Sequence, residues 1–241
     1  MYFGITYVYH SCFIVDLGRK FLLFDYPADA HLPDRAPELV RRKIAGSELY
    51  VFISHGHDDH CNHDMDRVTA PAERCRFIVS DDVPDLFPEA VPPGASIVEP
   101  DETYAIHGMT IQTRMANDLG VAFLIDIDGL VIYFGGDLAE WIWPDMEPKA
   151  VQFTENYFQQ MLDTLKQRRL HLAFTNVDQR LENLGGGMKL LQQVQPDVFV
   201  PMHAFGDTAW YRKLGFDELR GASQVFLYRD TGDTMSFQVD A

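Results

Sequence analysis

Positive charge is scarce in this sequence: 20 Lys and Arg stand against 36 Asp and Glu, a formal net charge of −16 over 241 residues. A protein that grips a nucleic-acid backbone neutralises phosphates with a basic stripe. Here the basic clusters Arg41-Arg42-Lys43 and Arg168-Arg169 are brief, so no nucleic-acid partner is expected. Cysteine is scarce too. Cys12, Cys61 and Cys75 are odd in number and lack C-x-x-C spacing, which argues against a disulfide framework and suits a reducing compartment. No apolar run approaches the ~20 residues of a membrane span, and Met1–Thr6 has neither the basic nor the apolar region of a signal peptide. These absences point to the cytoplasm and to no membrane partner. The 46% of hydrophobic residues are ample for a sizeable core. With no repeat, low-complexity segment or clean boundary, a single domain over 1–241 is expected.

Strand patterns dominate the first third, over Tyr2–Tyr9, Cys12–Leu17 and Lys20–Asp25, with a turn at Gly18. A helix is expected over Pro37–Ala45, then a strand at Leu49–Ile53. Asn62 is placed to cap a short helix through Val68, and Arg76–Val79 returns as a strand. The Pro-rich stretch Asp82–Gly94 reads as a loop. Asp128-Gly129 favours a type I′ turn joining Gly120–Ile127 to Leu130–Phe134. Val151, Thr154, Phe158, Met161, Leu162 and Leu165 recur with helical period over Pro148–Lys166, where Pro148 suits the first turn. His171–Asn176, Asp197–Pro201 and Gln224–Tyr228 read as strands, with a helix over Met188–Val194. Gly185-Gly186-Gly187 lacks the spacing of a phosphate-binding loop and reads as a flexible loop opening that helix.

The run His55-Gly56-His57-Asp58-Asp59-His60 carries the chemistry. Imidazole nitrogen and carboxylate oxygen are ligands that borderline divalent metals prefer. These side chains converge only if the strand ends near Ser54 and the chain turns, which Gly56 eases. His55 and His57 can face one metal, while Asp59 and His60 reach a second. Two metals need a bridging carboxylate and a distant histidine. Asp137 follows an apolar strand and two glycines, and His203 sits where another strand gives out.

This constellation resembles the metallo-β-lactamase fold superfamily. The matching elements are H-x-H-x-D-H at 55–60, Gly136-Asp137 after a strand, the late His203, and Asp25 as the early aspartate. The layout is also similar to the branch containing ascorbate-6-phosphate lactonase, through Gly120-Val121-Ala122-Phe123-Leu124-Ile125 and Asp128-Gly129-Leu130-Val131-Ile132-Tyr133. The resemblance implies an α+β fold, a four-layered αβ/βα sandwich, with metals where the strand-end loops meet. It further implies that His55 and His57 bind a first metal, that Asp59, His60 and His203 bind a second, that Asp137 bridges them, and that Asp25 fixes the ligand loop. The family's usual histidine about twenty residues before the bridging Asp is missing. Met115-Ala116-Asn117-Asp118 stands there, so Asn117 or Asp118 is the available stand-in, Asp118 favouring a harder ion such as Mn or Fe. His107 reads as a turn residue.

Further candidates flank the motif. His10 reaches either the cleft mouth or an edge-strand packing position. Trp141 and Trp143 wall a pocket or pack in the core, and Asp178 and Arg180 hold substrate polar groups or form a surface pair. Cys61 reads as packing and His63 as exposed. The resemblance implies metal-assisted hydrolysis of a small-molecule ester, lactone, amide or phosphodiester by water activated on one or two divalent ions, zinc first. Asp59 doubles as acceptor of the water proton. Two other outcomes are a non-catalytic metal- or ligand-binding protein and a diiron-type oxidoreductase, against which His57 stands because diiron members carry Glu there.

Overall fold

The computed structural model describes residues 1–240. Among these, fourteen strands form two seven-stranded mixed sheets. In the first, β1 (Tyr2–Tyr9), β2 (Cys12–Asp16), β3 (Lys20–Phe24), β4 (Glu48–Ile53), β5 (Arg74–Ser80) and β6 (Ser96–Val98) lie in sequence order, and β14 (Thr234–Gln238) pairs with β1 at the edge. The second runs β7 (Thr103–Ile106), β8 (Met109–Met115), β9 (Val121–Ile127), β10 (Leu130–Phe134), β11 (Leu172–Asn176), β12 (Val198–Met202) and β13 (Gln224–Val225). The sheets share a plan. Strands β14 to β3 and β7 to β10 pair antiparallel, and β3 to β6 and β10 to β13 pair parallel.

Side-chain alternation along the strands builds the layers. Leu22 and Phe24 of β3 and Tyr50 and Phe52 of β4 face the second sheet, while Phe21, Leu23, Leu49, Val51 and Ile53 face outward. That outer face is covered by α1 (Ala36–Ile44), α2 (Met65–Thr69) and α3 (Asp82–Leu86), through Val40, Ile44, Met65, Val68 and Val83. The second sheet is flanked by α4 (Pro148–Leu165), α5 (Gly187–Val194) and α6 (Phe216–Leu219). Phe24 stacks on Phe134 of the facing sheet, with centroids 4.5 Å apart and planes 15° apart. Removing a ring from such a site costs about 3–5 kcal/mol. The result is the αβ/βα sandwich that the resemblance implied. No helix of the described residues is long and apolar enough to cross a membrane.

Several local expectations need correction. Asn62 does not cap a helix. Its oxygen accepts the Asp64 N–H and its amide donates to Pro27 O, so the helix starts at Met65. Asp82–Gly94 is not all loop: it holds α3 and a 3-10 turn at Pro88–Ala90. The strand from Gln224 stops at Val225, and Phe226 and Tyr228 turn into the core. Gly185–Gly187 is a buried 3-10 turn and the start of α5, not a loose loop.

The parallel halves matter for function. Asp25, the 55–60 run, Asp137 and His203 all follow the carboxyl ends of strands, so both sheets deliver polar loops to one rim. This is the end of open α/β sheets where ligands bind.

Candidate metal centre

Four residues at this rim hold left-handed backbone that L side chains rarely adopt: His10 (φ 49°), Asp25 (φ 42°), His203 (φ 73°) and Phe205 (φ 48°). Such positions cost about 1–3 kcal/mol each and cluster at functional sites. The motif is clamped between the sheets. Val121 N–H donates to Ser54 O at 2.9 Å. A side chain at Gly120 (φ 67°) would meet that oxygen at 2.1 Å, and one at Gly136 (φ 49°) would meet Ser54 Cβ at 2.8 Å. Glycine is required at both places.

Asp25 organises the histidines from below. Fully buried, its carboxylate accepts the Ser54 N–H (2.8 Å), the Ser54 hydroxyl (2.6 Å) and His60 Nδ1–H (2.7 Å). With its own proton given to Asp25, Ser54 Oγ accepts His55 Nδ1–H at 2.9 Å. Asp178 accepts His203 Nδ1–H at 2.9 Å. These bonds engage Nδ1 in all three rings and leave Nε2 as the nitrogen turned to the centre, the outer-partner arrangement of metal-binding histidines.

These Nε2 nitrogens meet at Asp137. His60 Nε2 lies 3.4 Å and His203 Nε2 3.5 Å from Asp137 Oδ1, and His55 Nε2 lies 3.7 Å from Oδ2. His55 Nε2, His60 Nε2 and Asp137 Oδ1 are buried without hydrogen-bond partners. Buried polar atoms without partners are rare and costly, and a divalent cation satisfies this set. Potential ligand atoms of His55, His57 and Asp137 lie within 4.8 Å of one another, and Asp59 Oδ2 lies 4.0 Å from His60 Nε2. The cluster therefore fits one or two divalent ions. Its electrostatics agree. Burial opposes charge on Asp137, yet the facing His60 and His203 hold its carboxyl well below the ordinary carboxylate range. Burial likewise opposes charge on His60, but Asp137 and Asp25 outweigh it and lift the imidazole to about 9. His55, which has less carboxylate against it, is pushed down by burial and by His60.

The other sequence candidates separate. Asp59 is partly exposed at the cleft floor, and His57 is half-exposed with Nδ1 3.9 Å from Asp118 Oδ2. Asn117 is tied to Ala139: its oxygen accepts Ala139 N–H and its amide donates to Ala139 O. Asp118 remains at the cleft wall. His10 does not reach the cleft mouth. It is fully buried, between the rings of His60 and His203. Its Nδ1 accepts Phe205 N–H, so Nε2 carries the proton, 3.4 Å from Asp59 Oδ2. That tautomer presents no lone pair to a metal, even though His10 lies close to His60 and His203. Asp178 is 2% exposed, faces His203 and Arg180, and is not among the residues that line this cleft. Trp141, Trp143 and Arg180 do line the cleft. Cys61 packs in the outer core, His63 is exposed, and His107 sits in a turn.

Sequence reasoning missed Ser54, whose only signal was its place between strand and motif, and Asn176, whose amide donates to Gly136 O (2.9 Å). It also missed Trp141 Nε1–H, which donates to Asp137 O (2.8 Å), and the cleft residues Met146, Phe153 and Phe205. Because Asp178 orients His203, Asp178→Ala should weaken metal affinity by about 10–100-fold with the fold retained. Titration with a competing chelator measures this, and unchanged affinity would rule out the orienting role.

Two parallel-ended sheets with a His/Asp cluster at the shared rim define a metal-binding αβ/βα sandwich. Residues 4–147 match the beta-lactamase superfamily domain, and the chain belongs to that superfamily. It is similar to a metal-dependent hydrolase from Opitutus terrae, 29% identical over 152 residues, which are 56% of this chain and 63% of that protein. The match thus spans less than two thirds of the relative's length. A metallo hydrolase from the archaeon Ignicoccus hospitalis has a similar fold, with a TM-score of 0.64 at 16% identity over the whole of both chains. So does the metallo-beta-lactamase fold protein YhfI from Bacillus subtilis, with 0.60 at 13% identity over 98% of this chain and 100% of that one.

Proposed function

We propose that the chain is a metal-dependent hydrolase of small-molecule esters, lactones, amides or phosphodiesters, acting as one domain in the cytoplasm. The observation that carries this is the convergence of three Nε2 atoms, on rings held by Nδ1, at the buried Asp137. Asp59, His60, His203 and Asp137 would hold one ion. His55, His57 and Asp137 would hold a second, with Asp118 beside them. Imidazole-rich sets suit zinc, and a carboxylate from Asp118 would shift the first position toward Mn or Fe. When bound, the metal supplies a water of near-neutral pKa and polarises the scissile carbonyl or phosphoryl oxygen.

The chain's own residues supply the rest. Asp25 and Asp178 hold the His60 and His203 rings by Nδ1, so that Nε2 is the nitrogen turned to the centre, and a metal would displace the proton it carries. Asp59, which lines the cleft, would accept the proton released as water attacks. The Trp141 and Asn176 bonds hold the backbone around Asp137 and so limit its drift. The Gly120–Ile125 and Asp128–Tyr133 layout, similar to the lactonase branch, supports lactones among the substrates.

The test is metal analysis joined to a substrate panel. Chelation should abolish turnover of at least one ester, lactone, amide or phosphodiester, and added zinc should restore it. Metal-replete protein that turns over none of the four classes, or that holds iron and consumes oxygen, would overturn the hydrolase assignment.

A further inference from the structure

The cleft above the metal centre, about 710 Å³, is in the range that takes a small organic ligand, and its walls differ. His57, Asn117 and Asp118 form a polar side. Another part of the lining is apolar. Trp141 and Trp143 present parallel rings, 6.3 Å apart with 9° between planes, and Met146 and Phe153 continue that face into α4. Phe205 lines the cleft beside the metal centre, its ring centroid 5.0 Å from that of His203. Trp143 is 42% exposed, Phe153 67% and Phe205 41%, so three of the eight exposed large hydrophobic side chains among the described residues line this one cleft. Exposed apolar surface gathered at a site marks an apolar ligand, and parallel indoles favour a flat one.

The polar inventory limits the charge the body of the substrate can carry. Among the described lining residues the cleft has one Lys or Arg, Arg180. Its Nε and Nη2 already donate to Asp178, and its guanidinium lies 4.9 Å from the Phe205 ring centroid and 5.4 Å from that of Trp143. Arg180 thus extends the aromatic wall instead of offering a free anion-binding fork. Asp59, Asp118 and Asp137 face the same space. In the hydrolase reading the metal takes up these carboxylates, so a phosphate group carried elsewhere on the substrate would find one cation, and that one already paired.

Building on the hydrolase reading above, we propose that the substrate is an uncharged carboxylic ester, lactone or amide with a flat aromatic body. The aromatic part lies on Trp141, Trp143 and Phe153, and the acyl group faces the position that Asp137, His60 and His203 would give a metal. Water adds across the acyl C–O or C–N bond. The acyl carbon takes the hydroxyl, the bond to the leaving oxygen or nitrogen breaks, and that atom leaves with a proton.

The test compares, on the metal-loaded full chain, an acetate ester, the naphthylacetate ester of the same alcohol and a sugar-phosphate lactone. Calorimetric binding of the ketone analogue of each ester gives a readout independent of turnover. The naphthyl compounds should show at least tenfold higher kcat/KM and at least tenfold tighter ketone binding than the acetyl ones. Trp143→Ala and Phe153→Ala should each bring both ratios close to one, and Trp143→Phe should restore most of the preference. Equal values for naphthyl and acetyl compounds in the unmodified protein, or preference for the sugar-phosphate lactone, would overturn this substrate class while leaving the hydrolase reading in place. Naphthyl-selective binding with no turnover of any panel member would instead overturn the hydrolase reading while supporting the aromatic site.

Discussion

Asp137→Ala should abolish metal retention and lower turnover by at least about 10³-fold, a barrier increase of about 4 kcal/mol. No other side chain touches so much of the centre. Its two oxygens lie 3.4–3.7 Å from Nε2 of His55, His60 and His203, and it is the buried negative charge that these rings face. Without it the rings face one another with no carboxylate between them, and a cation loses its shared ligand. Asp137→Asn keeps the shape and removes the charge, so it should bind metal nearly as poorly and be nearly as inactive if charge is what matters. Elemental analysis after dialysis and kcat on the best panel substrate report both losses. Full metal content with near-normal kcat in either variant would remove Asp137 from the centre.

The metal-free protein should lose stability as pH rises through the neutral range, and the metal-loaded protein should not. His60 is lifted to about 9, and Asp137 and Asp178 also lift His203, both against the pull of burial. A histidine ordinarily titrates near 6.5. A group bound more tightly to its proton in the fold contributes stability that is full below the unfolded pKa and lost as pH climbs through the folded one. The window is therefore about pH 6.5 to 9. At 1.36 kcal/mol per pH unit, His60 alone accounts for about 2 kcal/mol by pH 8. The opposite shifts lie outside the window. Asp137, held low, loses its contribution only on acidification, and His10 and His55, pushed down by burial, disfavour the fold only below about pH 6.5. Burial raises all three thiols, so cysteine ionisation matters only above about pH 8. Urea midpoints at pH 6.5 and 8, with and without zinc, measure this. Metal binding displaces these protons, so zinc should flatten the profile. A flat profile in the metal-free protein would show that the His60 proton is not held as the geometry implies.

The sequence carried the centre because its ligands are local or mark the ends of strands. Three of the rings lie within six residues, and Asp25, Asp137 and His203 each follow an apolar run that could only be a buried strand. The outer partners were harder to assign. Asp178 and Arg180 read as a pair that holds substrate polar groups or lies on the surface, because nothing two residues apart reveals that the carboxylate turns back to His203. His10 could be placed near the cleft, but its tautomer depends on Phe205 N–H, 195 positions away. Asn117 looked free until its amide was seen to close on Ala139. The aromatic wall was half hidden. Helical period in α4 identifies the inward face of Phe158, Met161 and Leu165, whereas Phe153 lies outside that stripe. The edge strand β14 escaped notice because only Phe237 of its five residues is buried.

The most direct test is anomalous diffraction from crystals of the zinc-loaded protein. A peak should lie about 2.0–2.2 Å from His60 Nε2, His203 Nε2 and an Asp137 oxygen. A second would lie near His55, His57 and Asp137 if two ions bind. Zinc bound elsewhere, with no peak among these residues at full loading, would contradict the metal centre and the hydrolytic function built on it.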